Sequence, residues 1–320
     1  MIRLRDIPKM NVTINNLYEG ITKRMLPTPK NTQFSSIGME VTTFCNSRCD
    51  FCAHEEIIKS GIRPMMNMSM DTVKRSFDYI KNINDGKIKI FAPLGLGETL
   101  LHPNLLEILK MVKDEFPGVY TSTNTNCIKL RGEIAERLID GDLDAILLST
   151  CFVSREDYRR RLHTEYYDHV MQNIEDFLKL KGDRKPSVRI HVFDIPQNRK
   201  LLWKWVGKWS PMLNSNDHLS IHPFVENNSN DRSLDFSYRN FPCSQVKNYD
   251  SIKIDIQGNI LPCCSALWKN SYEGLIIGNI NDGHPELIKE KLDAFKRSPP
   301  CDLCRHCTIL RQDSDIGGRR

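Results

Sequence analysis

The feature that most constrains the fold is the alternation of short apolar strands with amphipathic helices. Ser69 is placed to cap a helix whose apolar face carries Val73, Phe77 and Ile80. Further helices are predicted from 104, over 133–138, from the cap Ser154 and over 203–209. Six strands are predicted, at 37–41, 87–93, 119–124, 145–149, 188–193 and 219–223. Strands that alternate with helices in this way favour a parallel sheet with right-handed crossovers, either open or curved into a partial barrel.

Changes in composition and in the strand–helix pattern divide the chain into five segments. A proline-bearing lead is expected to lie as an extension on a core, and a hairpin is predicted around Gln257 and Gly258. The predicted segments are the extension 1–34, the alternating domain 35–225, a linker or pocket loop 226–242, a small cysteine-rich α+β domain 243–312 and a tail 313–320. That small domain is too short to bury a large core, so we expect its cysteines to hold it together.

Charge and hydropathy exclude two classes of partner. The 45 Lys and Arg residues against 40 Asp and Glu give a net charge of +5, which is too dilute over 37.0 kDa to indicate nucleic-acid binding. No apolar run of membrane-spanning length is present, so no membrane partner is expected. The first ten residues lack the continuous apolar region of a signal peptide, and we therefore expect a cytoplasmic protein.

Eleven cysteines are the anomaly of the composition. An odd number cannot all pair in disulfides, and clustered cysteines in a reducing compartment more often bind metal or carry out redox chemistry. Eight of them fall into two groups, Cys45, Cys49 and Cys52, then Cys243, Cys263, Cys301, Cys304 and Cys307. Cys127, Cys151 and Cys264 lie outside both groups.

The first group places three thiols within eight residues, directly after a predicted strand. This spacing lets one loop aim three sulfurs at one metal centre, and thiolates suit zinc or an iron–sulfur cluster. Three thiolates leave the fourth iron of a four-iron cluster open. A structural zinc ion would need a fourth ligand, which His54 could supply.

The run Cys45-x3-Cys49-x2-Cys52 resembles the signature of the radical SAM superfamily. The resemblance implies a partial (β/α)6 TIM-type barrel, followed here by the small C-terminal α+β domain. It also implies a [4Fe–4S] cluster whose open iron is chelated by the amino and carboxylate groups of S-adenosylmethionine. Phe51, the aromatic residue before the last cysteine, is then expected near the adenine.

The stretch Gly95-Leu96-Gly97-Glu98 follows the second predicted strand. Glycines let backbone approach a ligand closely, and a carboxylate suits an ammonium group. The stretch is similar to the family's glycine-glycine-glutamate motif, which holds the methionyl amine, although Leu96 separates the glycines and Thr99 replaces the usual proline. A tight turn with a solvated glutamate is the alternative.

Weaker similarities continue along the chain. Asn124 and Ser149 follow the third and fourth strands, and Arg159 or Arg160 lies in the next helix, where the family often contacts ribose and carboxylate. Each could equally be an ordinary strand-end hydrogen bond or part of a solvated helix face. Cys45, Glu98, Asn124 and Ser149 all lie at the predicted carboxyl ends of strands, which is the edge where parallel α/β folds bind ligands.

The second cysteine group has a hairpin between two of its members and a later Cys-x2-Cys pair. From spacing alone, zinc is a serious alternative. The arrangement resembles the SPASM or Twitch extension of radical SAM enzymes, although the last part of the full pattern is missing. The resemblance implies one auxiliary [4Fe–4S] cluster, with Cys243, Cys263 and two of Cys301, Cys304 and Cys307 as ligands.

Two of the remaining cysteines are possible hydrogen-atom donors. Cys151 follows Ser149 at the predicted ligand edge, and Cys264 adjoins the second group. In some radical SAM epimerases a thiol returns a hydrogen atom to the substrate radical. A small buried apolar filler is the alternative for each of them.

The resemblance implies an enzyme that cleaves S-adenosylmethionine and abstracts hydrogen from a substrate C–H bond. The outcome would be oxidation, epimerisation or cross-linking of a small polar metabolite, such as a sugar or aminocyclitol, or of a peptide, as in ribosomal-peptide maturases. A flavodoxin- or ferredoxin-type protein is the expected electron donor. The alternatives of another class are a zinc-stabilised binding protein and an iron–sulfur electron-transfer protein without chemistry of its own.

Overall fold

The computed structural model describes residues 12–14, 34–84, 87–224, 246, 251–268, 274–298, 304 and 307. The chain forms two compact units. The middle unit comprises Met1–Pro27 and Ser122–Val225, and the flanking unit comprises Thr28–Thr121 and Glu226–Arg320. Of the three divisions along the chain, the one at 225/226 coincides with a predicted segment boundary, the one at 121/122 falls inside a strand, and the one at 27/28 falls within the predicted extension 1–34.

The described regions contain ten strands and eight α-helices. The strands are β1 Val12–Ile14, β2 Ser36–Met39, β3 Ile90–Pro93, β4 Tyr120–Thr125, β5 Ala145–Cys151, β6 Ser187–Asp194, β7 His218–Pro223, β8 Ser251–Ile254, β9 Asn259–Leu261 and β10 Gly278–Asn279. The helices are α1 His54–Lys59, α2 Met70–Asn84, α3 Leu105–Glu115, α4 Gly132–Asp140, α5 Arg155–Leu162, α6 Tyr167–Lys181, α7 Arg199–Trp209 and α8 Ile288–Arg297. Short 3-10 turns at Thr99–Leu101 and Cys264–Trp268 bear on the site described below.

In the flanking unit, β2 is the central strand. It pairs in parallel with β3 on one side and with β8 on the other, and β3 pairs in parallel with the first two residues of β4. Beyond β8 the sheet becomes antiparallel, through β9 and then β10. The predicted hairpin around Gly258 is therefore present, and its first strand extends the parallel sheet.

The alternating apolar residues of β2 explain the core of this unit. Ile37 and Met39 are fully buried and pack in one cluster with Val73 and Phe77 of α2. Residues from the C-terminal part of the chain join the same cluster, namely Ile252, Ile254, Ile256, Ile260, Ile277, Ile280, Ile288 and Leu292. Shared apolar burial thus stabilises the C-terminal hairpin, in addition to whatever its cysteines bind.

In the middle unit, the strand order is β1, β7, β6, β5 and the last four residues of β4, all of them parallel. The predicted irregular lead therefore contains a strand, since Val12 pairs with Leu219 and Ile14 with Ile221. The remaining residues of the lead before Phe34 lie outside the described residues.

The predicted α/β class, with the largely parallel sheet of a partial (β/α)6 barrel, is confirmed. Each of the six predicted strands is present, and Ser69 and Ser154 accept backbone hydrogen bonds from Thr72 and Asp157 as helix caps. Helices α1, α6 and α8 were not predicted. None of the helices in the described ranges has the length and apolar character needed to cross a membrane.

The Gly258 turn gives a direct test of the packing between the hairpin and its neighbours. Gly258 has φ +82°, and a Cβ there would lie 2.7 Å from Cγ1 of Ile280. Gly118 has the same kind of backbone, with φ +81°, but a Cβ there meets nothing within 4 Å. We expect Gly258→Ala to lower the free energy of unfolding by about 1–3 kcal/mol more than Gly118→Ala, measured by urea denaturation. Equal losses in the two variants would mean that only the backbone conformation matters.

Candidate functional site

The three cysteines of the first group lie in one loop after β2. Each is half-buried, and the backbone N–H of Cys52 donates to the carbonyl of Cys49 across the turn. Burial raises the pKa of the Cys45 and Cys52 thiols to about 11 and that of Cys49 to about 12. Each thiol also raises the pKa of another in the group, so the three lie close enough to interact as charges.

Polar groups of the loop surround these sulfurs. Ser47 Oγ is 3.4 Å from Cys49 Sγ, backbone N–H groups of Asn46 and Ser47 favour the Cys45 thiolate, and that of His54 favours the Cys52 thiolate. Hydrogen bonds to sulfur are one of the means by which proteins adjust iron–sulfur clusters. The set of donors therefore suits a group that requires three thiolates.

A four-iron cluster fits this loop better than zinc does. The Nε2 atom of His54, the residue considered as a fourth zinc ligand, is 2.7 Å from the carbonyl oxygen of Thr43 and is engaged there. Among the described residues, no three His, Cys, Asp or Glu side chains are placed so that they could hold a metal ion as they stand. Metal binding would therefore require the thiols to rotate toward one point and to lose their protons.

Glu98 lies beside this loop. Its backbone N–H donates to the carbonyl of Phe44 at 2.8 Å, and its carboxylate is close enough to raise the pKa of Cys45. The side chain is 5% exposed, and its Oε1 accepts from the backbone N–H of Leu100 at 3.2 Å. The predicted neighbours Cys45 and Glu98 are thus brought together, and the alternative of a solvated glutamate is wrong.

The glycines before Glu98 make this approach possible. A Cβ on Gly97 would lie 2.5 Å from the carbonyl oxygen of Thr42, and a Cβ on Gly95 would lie 2.5 Å from Cγ of Glu40. Protein atoms therefore occupy the space that a side chain would need at both positions. The glycines allow two backbone segments to pack closely, and this packing sets the position of Glu98 next to Cys45.

A buried ion pair fixes the segments around the loop. Glu40 and Arg63 are both fully buried, with 2.7 Å between Oε1 and Nη1. Glu40 also accepts from the backbone N–H groups of Leu96, at 2.7 Å, and Ile256, at 3.2 Å, while Arg63 donates to the carbonyl of Leu267. Burial raises the pKa of Glu40, and Arg63 opposes that shift.

The described cysteines of the second group also lie together. Cys263 and Cys304 pack against the same small apolar cluster of Leu261, Ala266, Leu267 and Leu275. Cys264 is buried in the 3-10 turn, where burial raises its pKa, and it is within electrostatic range of Cys307. Cys243 and Cys301 lie outside the described residues.

Lys253 adds a positive charge next to these cysteines. Burial lowers the pKa of this lysine, whereas Cys264 and Cys263 raise it, so its ammonium group is near both sulfurs. Its Nζ donates to Ser251 Oγ at 2.7 Å, and its stem fills the space beside Gly38, where a Cβ would lie 2.5 Å from the lysine Cδ. A cation here offsets the negative charge of thiolates.

The predicted site residues of the middle unit differ from one another in exposure and in their partners. Asn124 on β4 is exposed and Ser149 on β5 is half-buried. Arg159 is exposed on α5, 3.9 Å from Glu165, and Arg160 bonds Asp157. The next residue, Arg161, instead lies over the ring of Phe224, 5.0 Å from its centroid.

Cys151 ends β5 in an unusual conformation. It has φ +58°, the pairing with β6 shifts between Ser149 and Cys151, and its buried Sγ is 4.0 Å from the carbonyl of Ser149. A positive φ is uncommon for a residue other than glycine and is often found at functional sites. Phe51, on the cysteine loop, is half-buried.

Sequence reasoning missed Glu40, Arg63 and Lys253. The signal for Glu40 was a charged residue between the apolar Met39 and Val41, hence on the opposite face of the strand. Lys253 between Ile252 and Ile254 shows the same pattern. Arg63, in a loop, has no comparable signal.

Two family models match the chain. The radical SAM superfamily model matches residues 39–201, and the SPASM iron–sulfur cluster-binding domain model matches residues 243–308. Because the first match covers half of the chain, the chain belongs to the radical SAM superfamily. The chain is therefore a radical SAM enzyme. Its cofactors are S-adenosylmethionine, a [4Fe–4S] cluster and an auxiliary iron–sulfur cluster in the SPASM region.

Similar proteins have known activities or ligands of their own. GTP 3′,8-cyclase of Chlorobaculum tepidum is 26% identical over 148 residues, and the match covers 44% of this chain and 40% of the cyclase. The solved structure of native anSMEcpe with bound AdoMet and Cp18Cys peptide has a TM-score of 0.57 at 15% identity, over 87% of this chain and 91% of that one. BtrN in complex with AdoMet and 2-DOIA gives 0.50 at 16% identity, over 86% and 92%. At these identities the two structures support the fold alone.

Breaking the buried ion pair between Glu40 and Arg63 is expected to destabilise the flanking unit strongly. Arg63→Met leaves Glu40 buried without its counter-charge, which should lower the free energy of unfolding by about 3–5 kcal/mol. Lys59→Met removes a lysine whose ion pair with Glu55 is exposed, and we expect a loss under about 0.5 kcal/mol. Urea denaturation of the two variants beside the wild type gives the comparison, and similar small losses would show that the pair is dispensable.

Proposed function

We propose that Cys45, Cys49 and Cys52 hold the catalytic [4Fe–4S] cluster and that Glu98 binds the amino group of S-adenosylmethionine. The observation that carries this proposal is the meeting of three interacting thiols with a buried carboxylate beside Cys45. When bound, the cluster and S-adenosylmethionine would supply radical chemistry for removing a hydrogen atom from a substrate C–H bond. The protein positions these groups and keeps water away from them.

The stretch Gly95-Leu96-Gly97-Glu98, called the glycine loop below, has a defined part in this proposal. Gly97 packs on the backbone of Thr42 and Phe44. This packing holds the carboxylate of Glu98 at a fixed position beside the loop that carries Cys45. An ammonium group bound by Glu98 would then lie close to the iron that the three thiolates leave open. Phe51, Asn124, Ser149 and Arg159 are proposed as further contacts of the same cofactor.

An auxiliary [4Fe–4S] cluster is proposed for the second group, with Cys263 and Cys243 as two of its ligands. Cys304 is favoured as a third, because it packs against the same apolar residues as Cys263. The ammonium of Lys253 would offset the negative charge of the ligated cluster. Such a cluster can accept the electron released when a substrate radical is oxidised, and a flavodoxin- or ferredoxin-type protein would supply electrons for the next cycle.

The proposed reaction is the oxidation or epimerisation of a small polar metabolite, or the modification of a peptide. The solved structures that share this fold include one complex with 2-DOIA and one with a peptide, so the proposal keeps both substrate classes. Cys151 and Cys264 are proposed as hydrogen-atom donors for an epimerisation, Cys151 because of its strained position at the end of β5.

Removing the three thiols together tests the ligand assignment. The wild type, reconstituted anaerobically with iron and sulfide, should hold about eight iron atoms and release 5′-deoxyadenosine when reduced with S-adenosylmethionine. The Cys45→Ala, Cys49→Ala, Cys52→Ala variant should hold about four and release none. Cys127→Ala, which removes a fully buried cysteine outside both groups, should behave as the wild type. A colourless, zinc-loaded wild type would contradict the proposal and favour a structural zinc protein.

Glu98→Gln separates the charge of this side chain from its role in the turn. Glutamine keeps an oxygen that can accept from Leu100 N–H, so the melting temperature should stay close to that of the wild type. Loss of the charge should weaken S-adenosylmethionine binding about tenfold or more, measured by isothermal titration calorimetry on the reconstituted protein. Unchanged affinity would remove Glu98 from the cofactor site.

A further inference from the structure

Lys253 is a cation on a strand that is otherwise apolar. It lies on β8 between Ile252 and Ile254, and both isoleucines are fully buried in the core of the flanking unit. Because side chains alternate along a strand, Lys253 projects to the opposite face of β8. The lysine is half-buried there, and burial lowers its pKa. Lysine is rarely withdrawn from water unless it has a partner.

Two contacts fix the direction of this side chain. The stem crosses Gly38 on the neighbouring strand β2, where a Cβ would lie 2.5 Å from the lysine Cδ, 3.1 Å from Cε and 3.2 Å from Nζ. Nζ donates to Oγ of Ser251 at 2.7 Å, two residues back along the same face of β8. The ammonium group is therefore held at the end of β8 where Ser251 lies.

The cysteines of the second group lie toward the same end of the hairpin. Lys253 is opposite Leu261 on β9, and opposite residues project to the same face. Leu261 belongs to the small apolar cluster against which Cys263 and Cys304 pack. Because β8 and β9 are antiparallel, the chain after Leu261 runs toward the end of β8 where Ser251 lies. Cys263 thus follows on the side to which the ammonium group is directed.

The charged neighbours of this ammonium group are thiols. Cys264 and Cys263 raise the pKa of Lys253, and Lys253 in turn lowers the pKa of Cys264. Among the described residues, no carboxylate forms an ion pair with Lys253, and its hydrogen bond goes to a neutral hydroxyl. A cation withdrawn from water is costly without a counter-charge. Thiolates that ligate a cluster would supply that counter-charge.

We infer that Lys253 raises the reduction potential of the auxiliary cluster. One-electron reduction adds one negative charge to a cluster held by thiolates, and it forms or breaks no bond. A nearby ammonium group stabilises the reduced form more than the oxidised form, because charges interact strongly where water is excluded. Net charge around a cluster is one of the means by which proteins set its potential. The inference rests on the proposed function in that the second cysteine group must hold the cluster.

The first cysteine group has charges of the opposite sign beside it. Glu98 raises the pKa of Cys45, and Asp50 raises that of Cys49. Both cysteine groups belong to the flanking unit, so one protein holds one set of thiols beside carboxylates and another beside an ammonium group. The first cluster therefore provides an internal reference for the effect of Lys253 on the auxiliary cluster.

A redox titration of the reconstituted holoenzyme, followed by electron paramagnetic resonance, tests this inference. The cluster whose signal changes when S-adenosylmethionine is added is the first one, and the other is the auxiliary cluster. Lys253→Met keeps an apolar stem beside Gly38 and removes the charge. We expect it to lower the auxiliary potential by at least about 59 mV, which is a tenfold change in the equilibrium constant for one electron. The potential of the first cluster should stay at the wild-type value.

Two further variants separate the charge from the packing. Lys253→Arg keeps a positive charge, so the auxiliary potential should move less than half as far as in Lys253→Met. Lys291→Met is the matched control, because Lys291 belongs to the same unit but has its own carboxylate partner, Asp282, at 3.7 Å. It should keep both potentials. An unshifted auxiliary potential in Lys253→Met, or an equal shift in Lys253→Arg, overturns the inference.

Iron content decides the case in which a variant does not hold the auxiliary cluster. Loss of about four iron atoms from Lys253→Met but not from Lys253→Arg would support the inference, because the charge is what the two variants differ in. Loss from both would show that Lys253 acts through packing and would overturn it. Circular dichroism confirms that each variant is folded.

This experiment fails separately from the proposed reaction. The titration uses no substrate and requires no turnover. A protein whose auxiliary potential falls in Lys253→Met, but whose wild type releases no 5′-deoxyadenosine, would support the role of Lys253 and contradict only the proposed reaction.

Discussion

The flanking unit depends on one buried ion pair, between Glu40 and Arg63. The two side chains connect four segments that are far apart in the sequence, since their other partners are Leu96, Ile256 and Leu267. A buried pair of this kind adds little net stability over an apolar pair, but it is costly to break and it fixes geometry. Here that geometry sets the cysteine loop, the glycine loop and the C-terminal hairpin in one arrangement.

The proposed chemistry depends on how closely charged side chains approach the two sets of thiols in this arrangement. Glu98 is held by the chain that precedes Cys45, and the two glycines before it leave no room for side chains. Near the second cysteine group, Gly38 makes room in the same way for the stem of Lys253. The small residues of this unit therefore place one negative and one positive group beside two sets of thiols, in surroundings of low dielectric constant where charges interact strongly.

Much of the fold could be predicted, because its signals are local. Alternation of Ile37, Met39 and Val41 indicates a strand, and Ser154 indicates the start of a helix, from a few residues each. The strand at 12–14 was missed, since its partner β7 lies about 200 residues away and the alternating run of Met10, Val12 and Ile14 is short. The parallel pairing of β8 with β2 was missed for the same reason. Of the site, the thiols were proposed from their spacing and Glu98 from its resemblance to a glycine-glycine-glutamate motif, whereas Arg63 was missed.

The sequence by itself determined the chemical groups of this protein: the spacing of the thiols, the glycines before Glu98 and the order of strands and helices. These features involve residues that are close together in the sequence, so they can be recognised without knowledge of the fold. The tertiary structure decided what those groups meet, including the guanidinium of Arg63 at Glu40 and the ammonium of Lys253 at Cys263 and Cys264. Burial and pairing of charges depend on residues distant in sequence, and only the packed chain brings those residues together.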